Sequence, residues 1–175
     1  MTPELERLLS AHLDDELDRR PVDELRALSR RAQEWETAVS LTRRLTQGRL
    51  DMLRYEGRRR AGAADGEDTG LLFDLPDILA ETSGGTTGRA VAVDAPDECA
   101  DALIALLDGM AQQDEVCRPE QLADDQLAAL VGDLGDFEHR LSDLRRGLHV
   151  RLDSLHDEIG RRYRDGEVSL DTLLR

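Results

Sequence analysis

The chain has 175 residues, of which 35% are charged and only 3% aromatic, and its formal net charge is −15. This composition argues against a thick globular core and favours long, solvated helices. The negative charge excludes nonspecific DNA binding, because most of the surface would repel DNA phosphates. All 23 cationic residues are arginine. An anionic ligand would therefore need a local cluster of arginines.

The N-terminus and the cysteines predict a cytoplasmic protein. The first residues are acidic where a secretory signal would be basic, and no run of about 18 apolar residues could cross a membrane. Cys99 and Cys117 fit neither a zinc pair nor a disulfide framework, so we expect reduced thiols. We therefore expect no membrane contact.

Leucines at helical spacing within residues 3–18 predict an N-terminal helix across residues 1–20, which either packs on the rest or binds a partner. Its stripe is Leu5, Leu8, Leu9 and Leu13. Residues 22–60 then carry apolar and small residues three and four apart, which predicts a long helix with a seam for a partner helix. That seam is Leu28, Ala32, Trp35, Val39, Thr42, Thr46, Leu50 and Leu53.

Residues 61–118 contain Gly-rich and Thr-rich stretches and predict a loop-rich connection with short helices around 74–81 and 97–112. A second long helix is predicted over residues 119–166, starting at Pro119. Its seam is Leu130, Leu134, Phe137, Leu141, Leu144, Leu148, Leu152, Leu155 and Ile159. Residues 167–175 predict a C-terminal tail with a last helical turn. The fold class is therefore all-α, with two long helices paired as a coiled coil.

The two long helices carry an internal repeat at an offset of 102 residues. Each repeated residue directly follows a seam residue, so a rotation of about 100° per residue places the set in one stripe beside the seam. The stripe can reach a ligand lying across the helix pair. The alternative is a pair of solvated coiled-coil faces, which charged helices commonly have. The equivalent residues are Glu36 and Glu138, Ser40 and Ser142, Arg43 and Arg145, Gln47 and His149, and Asp51 and Asp153.

The first copy, Glu36-x3-Ser40-x2-Arg43-x3-Gln47-x3-Asp51, resembles in full the E-x3-S-x2-R-x3-Q-x3-D motif of the RsiG family of actinobacterial anti-sigma factors. The second copy departs from it only at His149. In that family an antiparallel coiled coil holds two cyclic di-GMP molecules and sequesters the sigma factor WhiG. The resemblance therefore implies an antiparallel pair, cyclic di-GMP as ligand and a WhiG-like sigma factor as partner, without direct DNA binding. Symmetry also favours antiparallel pairing, because the pair and cyclic di-GMP both have a twofold axis.

The residue types of the motif suit a guanine nucleotide. Arg43 and Arg145 can donate to guanine O6 and N7 or stack on the base. Asp51 and Asp153 can accept from the Watson–Crick edge of guanine. The alternative for these four charges is an exposed salt bridge or an ordinary surface position.

The remaining motif residues have broader expected roles. Ser40 and Ser142 can donate to a phosphate, and Gln47 and His149 can bind a phosphate, a ribose or a base edge. Glu36 and Glu138 can accept from a guanine or orient an arginine. Further arginines are expected to supply an interchangeable cationic field. These are Arg44, Arg49, Arg54, Arg146 and Arg151.

Catalysis is not expected from this sequence. No nucleophile and base stand at a recognisable spacing, and the Gly-rich stretch at 83–88 lacks the ending of a phosphate-binding P-loop. Two alternatives to a ligand-dependent regulator remain open. One is a structural coiled-coil scaffold whose repeat is only an ancestral duplication, and the other is a phosphodiesterase that hydrolyses the nucleotide.

Overall fold

The structure, a computed structural model, describes residues 3–10, 16–62 and 97–166. Its helices are α1 (Pro3–Leu8), α2 (Val22–Arg60), α3 (Asp97–Met110), α4 (Gln113–Cys117) and α5 (Asp124–Arg164). A 3₁₀ turn precedes each long helix, at residues 16–19 and Pro119–Gln121. All regular structure in these ranges is helical, which confirms the all-α prediction.

The two long helices, α2 and α5, form an antiparallel pair. Near the start of α2, the Ser29 hydroxyl lies 3.0 Å from His156 of α5. At the end of α2, Arg60 donates to Asp124 at the start of α5 over 2.6 Å. The predicted coiled-coil pairing and its antiparallel sense are therefore confirmed.

The seams predicted from apolar spacing are the buried faces of this pair. Leu50 and Leu53 of α2 and Leu134, Leu148 and Leu155 of α5 are at most 2% exposed. Burying each such leucine stabilises the fold by roughly 1.5–3 kcal/mol. The hydrophobic effect along the seam is therefore the main source of stability for the pair.

Two buried threonines interrupt the apolar seam of α2 without leaving a polar atom unsatisfied. The Thr42 hydroxyl donates to the carbonyl oxygen of Ala38 over 2.9 Å, and Thr46 donates to that of Thr42 over 2.8 Å. A buried hydroxyl is costly unless it is hydrogen-bonded. The two threonines are therefore tolerated in the buried face of α2.

Three predicted element boundaries differ from the structure. The N-terminal helix predicted over residues 3–18 ends at Leu8, and Ser10 is outside it. The carbonyls at this end accept hydrogen bonds from Arg151 of α5, which satisfies the chain where the helix stops. The short helix predicted over 97–112 is present and ends at Met110. Leu13, the predicted helix at 74–81 and the tail at 167–175 lie outside the described residues.

The second long helix does not begin at Pro119. Pro119 starts the 3₁₀ turn, and the extended backbone of Leu122 and Ala123, with ψ of 143° and 156°, separates that turn from α5. The Gln126 side chain accepts a hydrogen bond from the Ala123 N–H over 3.0 Å and so caps the helix start. The proline is therefore part of the approach to the helix.

Two arginines at equivalent positions of the repeat attach the short helices to the long ones. Arg49 of α2 donates to the carbonyl oxygen of Ala111, just after α3, over 2.7 Å. Arg151 of α5 donates to the carbonyl oxygens of Leu8 and Ser10, at the end of α1, over 2.8 Å each. The prediction that both belong to an interchangeable cationic field is wrong, because each side chain is committed to one helix end.

The same symmetry governs the ends of the pair. Arg60 donates to the carbonyl oxygen of Pro119 over 2.8 Å, and its equivalent Arg162 donates to that of Leu17 over 2.7 Å. Each long helix thus holds the 3₁₀ turn that leads into the other. The repeat therefore extends beyond the motif to the arginines that anchor the ends of the helix pair.

Both cysteines are free, as expected from the sequence. Cys99 is buried where α3 packs on the pair, and this burial raises the pKa of its thiol. Cys117 is exposed. Within the described ranges, no helix has the length and apolarity needed to span a membrane.

A glutamate near the end of each long helix, Glu56 buried and Glu158 half-buried, is bound by two arginines of its own helix. Glu56 accepts from Arg59 and Arg60 over 2.7 Å each. Glu158, its equivalent, accepts from the corresponding pair over 2.9 and 2.7 Å. Hydrogen bonds from these arginines lower the pKa of each carboxyl group from 4.5 to about 2.

We expect these carboxylates to make the fold sensitive to acid. Because their pKa is lower in the folded chain, the unfolded chain takes up protons first as the pH falls. Their stabilisation is present above pH 4.5 and is lost as the pH falls towards about 2. Urea unfolding at pH 6, 4 and 3 should show this decline. The double variant Glu56→Gln with Glu158→Gln should be less stable at pH 6 and decline less, and an unchanged decline would contradict the assignment.

Candidate ligand site between the long helices

The two motif stripes lie on one side of the antiparallel pair and meet near its middle. Arg49 and Arg151, which hold α3 and α1, each follow a motif residue by two positions, so they point about 200° away around the helix. The short helices therefore pack on the side opposite the motifs. This arrangement leaves the motif side open for a ligand.

The first cluster of motif residues is centred on one oxygen of Glu138. Its Oε1 atom accepts from Ser142 of the same helix over 3.1 Å, and from Arg43 and Gln47 of α2 over 3.2 Å each. Three donors therefore converge on one anionic oxygen. A phosphate oxygen would satisfy the same donors.

The second cluster is the symmetric equivalent around Glu36, whose side chain is 12% exposed. Its Oε1 atom accepts from Ser40 over 2.9 Å and from Nε of Arg145 over 3.0 Å, and Nε2 of His149 lies 3.4 Å away. The histidine thus occupies the place that Gln47 has in the first cluster. The departure from the motif keeps a polar side chain beside the glutamate.

Each cluster is assembled from both copies of the motif. The Glu and Ser come from one helix, and the Arg and the Gln or His come from the other. Of the two roles expected for Glu36 and Glu138, the structure shows the one in which they orient an arginine. Ser40 and Ser142, expected to be phosphate donors, donate to these glutamates. Sequence spacing could not reveal that each cluster combines residues of both helices, because this depends on how the two helices align.

The two aspartates of the motif lie outside both clusters. Asp51 and Asp153 are exposed, and within the described part of the chain neither has a hydrogen-bond or ion-pair partner. Each stands four residues beyond Gln47 or His149, one helical turn along the same stripe. Their carboxylates are therefore free to accept donors from a ligand.

A pocket of about 290 Å³ opens at the crossing of the two helices. It is lined by Arg43, Ser142, Arg145, Arg146 and His149. Nε of Arg43 is buried and has no hydrogen-bond partner among the described residues. The lining groups are mostly donors and cations, so the pocket suits an anionic ligand.

Other features of the described chain do not compete with this site. A cleft of about 460 Å³ between α1 and α2, lined among others by Glu4, Arg20 and Arg31, contains no motif residue. No group of three or more His, Cys, Asp or Glu side chains among the described residues is placed to hold a metal ion. The crossing of the motif stripes is therefore the site that the geometry supports.

Comparison with protein families gives a match over most of the chain. The model of a family described as RsiG-like matches residues 11–82 and 111–175. These ranges contain both long helices and all ten motif residues. Comparison with curated proteins gives no significant match.

Proposed function

The chain belongs to the RsiG-like family, which indicates an anti-sigma factor, and we propose that cyclic di-GMP is its ligand and a WhiG-like sigma factor its partner. In this proposal the chain acts in the actinobacterial cytoplasm, in the control of sporulation, by binding and not by catalysis. The loaded chain keeps the sigma factor from RNA polymerase. The observation that carries the proposal is the pair of crossed clusters formed by two copies of the motif.

The geometry of the clusters supports a dianionic, twofold-symmetric ligand. Each places an arginine, a serine and an amide or imidazole around one carboxylate oxygen. A ligand phosphate can take over these donors from the glutamate, since charge-assisted hydrogen bonds form equally well to both anions. The approximate twofold relation of the clusters matches the symmetry of cyclic di-GMP.

The unpartnered aspartates support recognition of guanine. A carboxylate can accept from both N1–H and the 2-amino group of guanine, whereas adenine has no 2-amino group. Asp51 and Asp153 are exposed on the motif side. An arginine that donates to O6 and N7 would complete the readout.

We expect two molecules of cyclic di-GMP to bind per chain and cyclic di-AMP not to compete. Adenine has an amino group where guanine has O6, so the arginine donors would face another donor. Isothermal titration at physiological salt gives the stoichiometry, and competition against labelled cyclic di-GMP gives the selectivity. Chromatography of the ligand afterwards should recover it intact.

The other outcomes of this titration separate the alternatives. A structural scaffold should show no saturable binding. A phosphodiesterase should release a linear dinucleotide. Competition by an equal concentration of cyclic di-AMP would contradict guanine recognition.

The charge of the chain supports a sigma factor as partner. A net charge of −15 attracts the basic regions with which sigma factors contact promoter DNA, so it favours encounter between the two proteins. Repulsion between the two arginine stripes is offset, because Arg43 and Arg145 each pair with a glutamate of the other helix. The ligand is therefore expected to act by completing the surface that the sigma factor contacts.

We expect the ligand and the sigma factor to strengthen each other's binding. Coupling between sites typically amounts to about 1–3 kcal/mol, or roughly 5- to 150-fold in affinity. By linkage, the sigma factor must tighten cyclic di-GMP by the factor that cyclic di-GMP tightens the sigma factor. Measuring both dissociation constants with and without the other component tests this. Equal sigma-factor affinity in both conditions would leave a nucleotide-binding protein without a switch.

A further inference from the structure

A line of exposed apolar side chains runs along α2. Leu41, Leu45 and Met52 are 38%, 40% and 40% exposed. Spacings of four and seven residues place them within about 40° of one another around the helix. We refer to these three residues as the α2 apolar stripe.

The α2 apolar stripe points away from the ligand site, because Leu45 stands two positions from both Arg43 and Gln47 and so lies about 160° from them around the helix. Around α2, Arg44 lies about 60° from the motif residue Gln47 and about 60° from Leu41, between the two. Arg44 is itself exposed. The stripe is therefore a surface of α2 distinct from the motif, with Arg44 between the two.

The internal symmetry of the chain is broken at this stripe. The equivalents of Leu41, Leu45 and Met52 on α5 are Asp143, Gly147 and Ser154. On α5 the end of α1 approaches this line, because a Cβ atom at Gly147 would lie 3.1 Å from the Leu9 side chain. The seam, the motif and the arginine anchors follow the repeat, whereas an exposed apolar line is present on α2 alone. A surface present once suits a partner that binds once and lacks the twofold symmetry of the ligand.

The charge around the stripe indicates the chemistry of that partner. The helix α2 contains ten arginines and six acidic residues, whereas α5 contains seven arginines and nine acidic residues. Arg30 and Arg44 are exposed and have no carboxylate within ion-pair distance among the described residues. Arg30 and Glu34 lie in line with the stripe, eleven and seven residues before Leu41. The Glu34 carboxylate is paired with Arg31 over 2.8 Å. The unpaired charges beside the stripe are therefore basic, in an otherwise acidic chain.

We infer that the α2 apolar stripe is a docking surface for the sigma factor. The occupant is an amphipathic helix of the sigma factor whose apolar residues are flanked by Asp or Glu, matching Arg30 and Arg44. This inference rests on the proposed function, because it takes a sigma factor as the partner. It assigns the partner to a surface of α2 that Arg44 separates from the motif.

The test compares variants of the full chain at saturating cyclic di-GMP, with the purified sigma factor as titrant. Leu41→Asp with Leu45→Asp should weaken sigma-factor binding by at least about tenfold, since apolar residues at an interface centre dominate affinity. Val150→Asp is the matched control on α5, because Val150 is 63% exposed and belongs to no such line. It should bind the sigma factor as the wild type does. Leu41→Ser with Leu45→Ser provides a milder second variant, and cyclic di-GMP binding verifies that each variant is folded.

Loss of sigma-factor affinity in both leucine variants, with cyclic di-GMP binding retained, supports the inference. Wild-type affinity in these variants, or an equal loss in Val150→Asp, overturns it while leaving the proposed function standing. A wild-type chain that binds no sigma factor overturns both proposals. These two failures are therefore distinguishable by the wild-type titration.

Discussion

Replacing Arg43 or Arg145 by alanine should abolish tight binding of cyclic di-GMP. Each arginine donates to the glutamate oxygen of its own cluster, the position proposed for a ligand phosphate. Loss of a charged, hydrogen-bonded partner costs about 2–5 kcal/mol, or tens- to thousands-fold in affinity. We expect the larger loss for Arg43, whose side chain is 27% exposed, than for Arg145 at 40%. Titration with labelled cyclic di-GMP measures both.

The chain offers matched controls for these variants. Arg30 on α2 and Arg140 on α5 are exposed arginines outside the motif. Alanine at either position changes the net charge as Arg43→Ala does. These controls therefore distinguish a general effect of charge on affinity from the loss of a direct contact with the ligand. If both motif variants kept the wild-type affinity for cyclic di-GMP, the motif stripe would be an ordinary solvated helix face.

Replacing Arg151 by methionine should destabilise the fold by about 2–4 kcal/mol. The side chain is buried and donates to two backbone carbonyl oxygens at the end of α1. Methionine keeps the apolar stem and removes these donors. The carbonyl oxygens of Leu8 and Ser10 then lose their hydrogen bonds from residue 151. Urea unfolding gives the free energy, and hydrogen exchange at the amides of α1 locates the loss.

A surface arginine on the same helix serves as the control. Arg164 is exposed near the end of α5, so Arg164→Met should change the free energy of unfolding by less than about 0.5 kcal/mol. If Arg151→Met were equally mild, the leucines of α1 and the Glu4–Arg31 ion pair would suffice to hold this helix. In that case the arginine would add nothing to its attachment.

The sequence was sufficient to predict the paired long helices, because a periodic seam of apolar residues records which face of a helix is buried. The seam residues Leu50 and Leu134 are accordingly almost inaccessible. The motif stripe was predicted on the same basis, from its fixed position beside the seam. Both are local regularities that require no knowledge of how the helices align.

The roles of individual arginines could not be predicted in this way. Arg44 and Arg49 look alike in sequence, yet the first is exposed and the second is bound to the end of α3. An arginine stem packs against apolar surface while its head seeks an acceptor, so its role depends on which carbonyl oxygen comes within reach. That information lies in the tertiary structure. The same holds for the hydrogen bonds that Glu36 and Glu138 accept from arginines of the other helix.

The crossed clusters also fix the register of the two helices. Arg43 with Glu138 and Arg145 with Glu36 define the same alignment, which the arginines at the two ends of the pair, Arg60 and Arg162, hold as well. A slide of one helix along the other by a single turn, about 5.4 Å, would separate both clusters at once. The two proposed nucleotide positions would therefore form and disappear together, because one alignment of the helices builds both clusters.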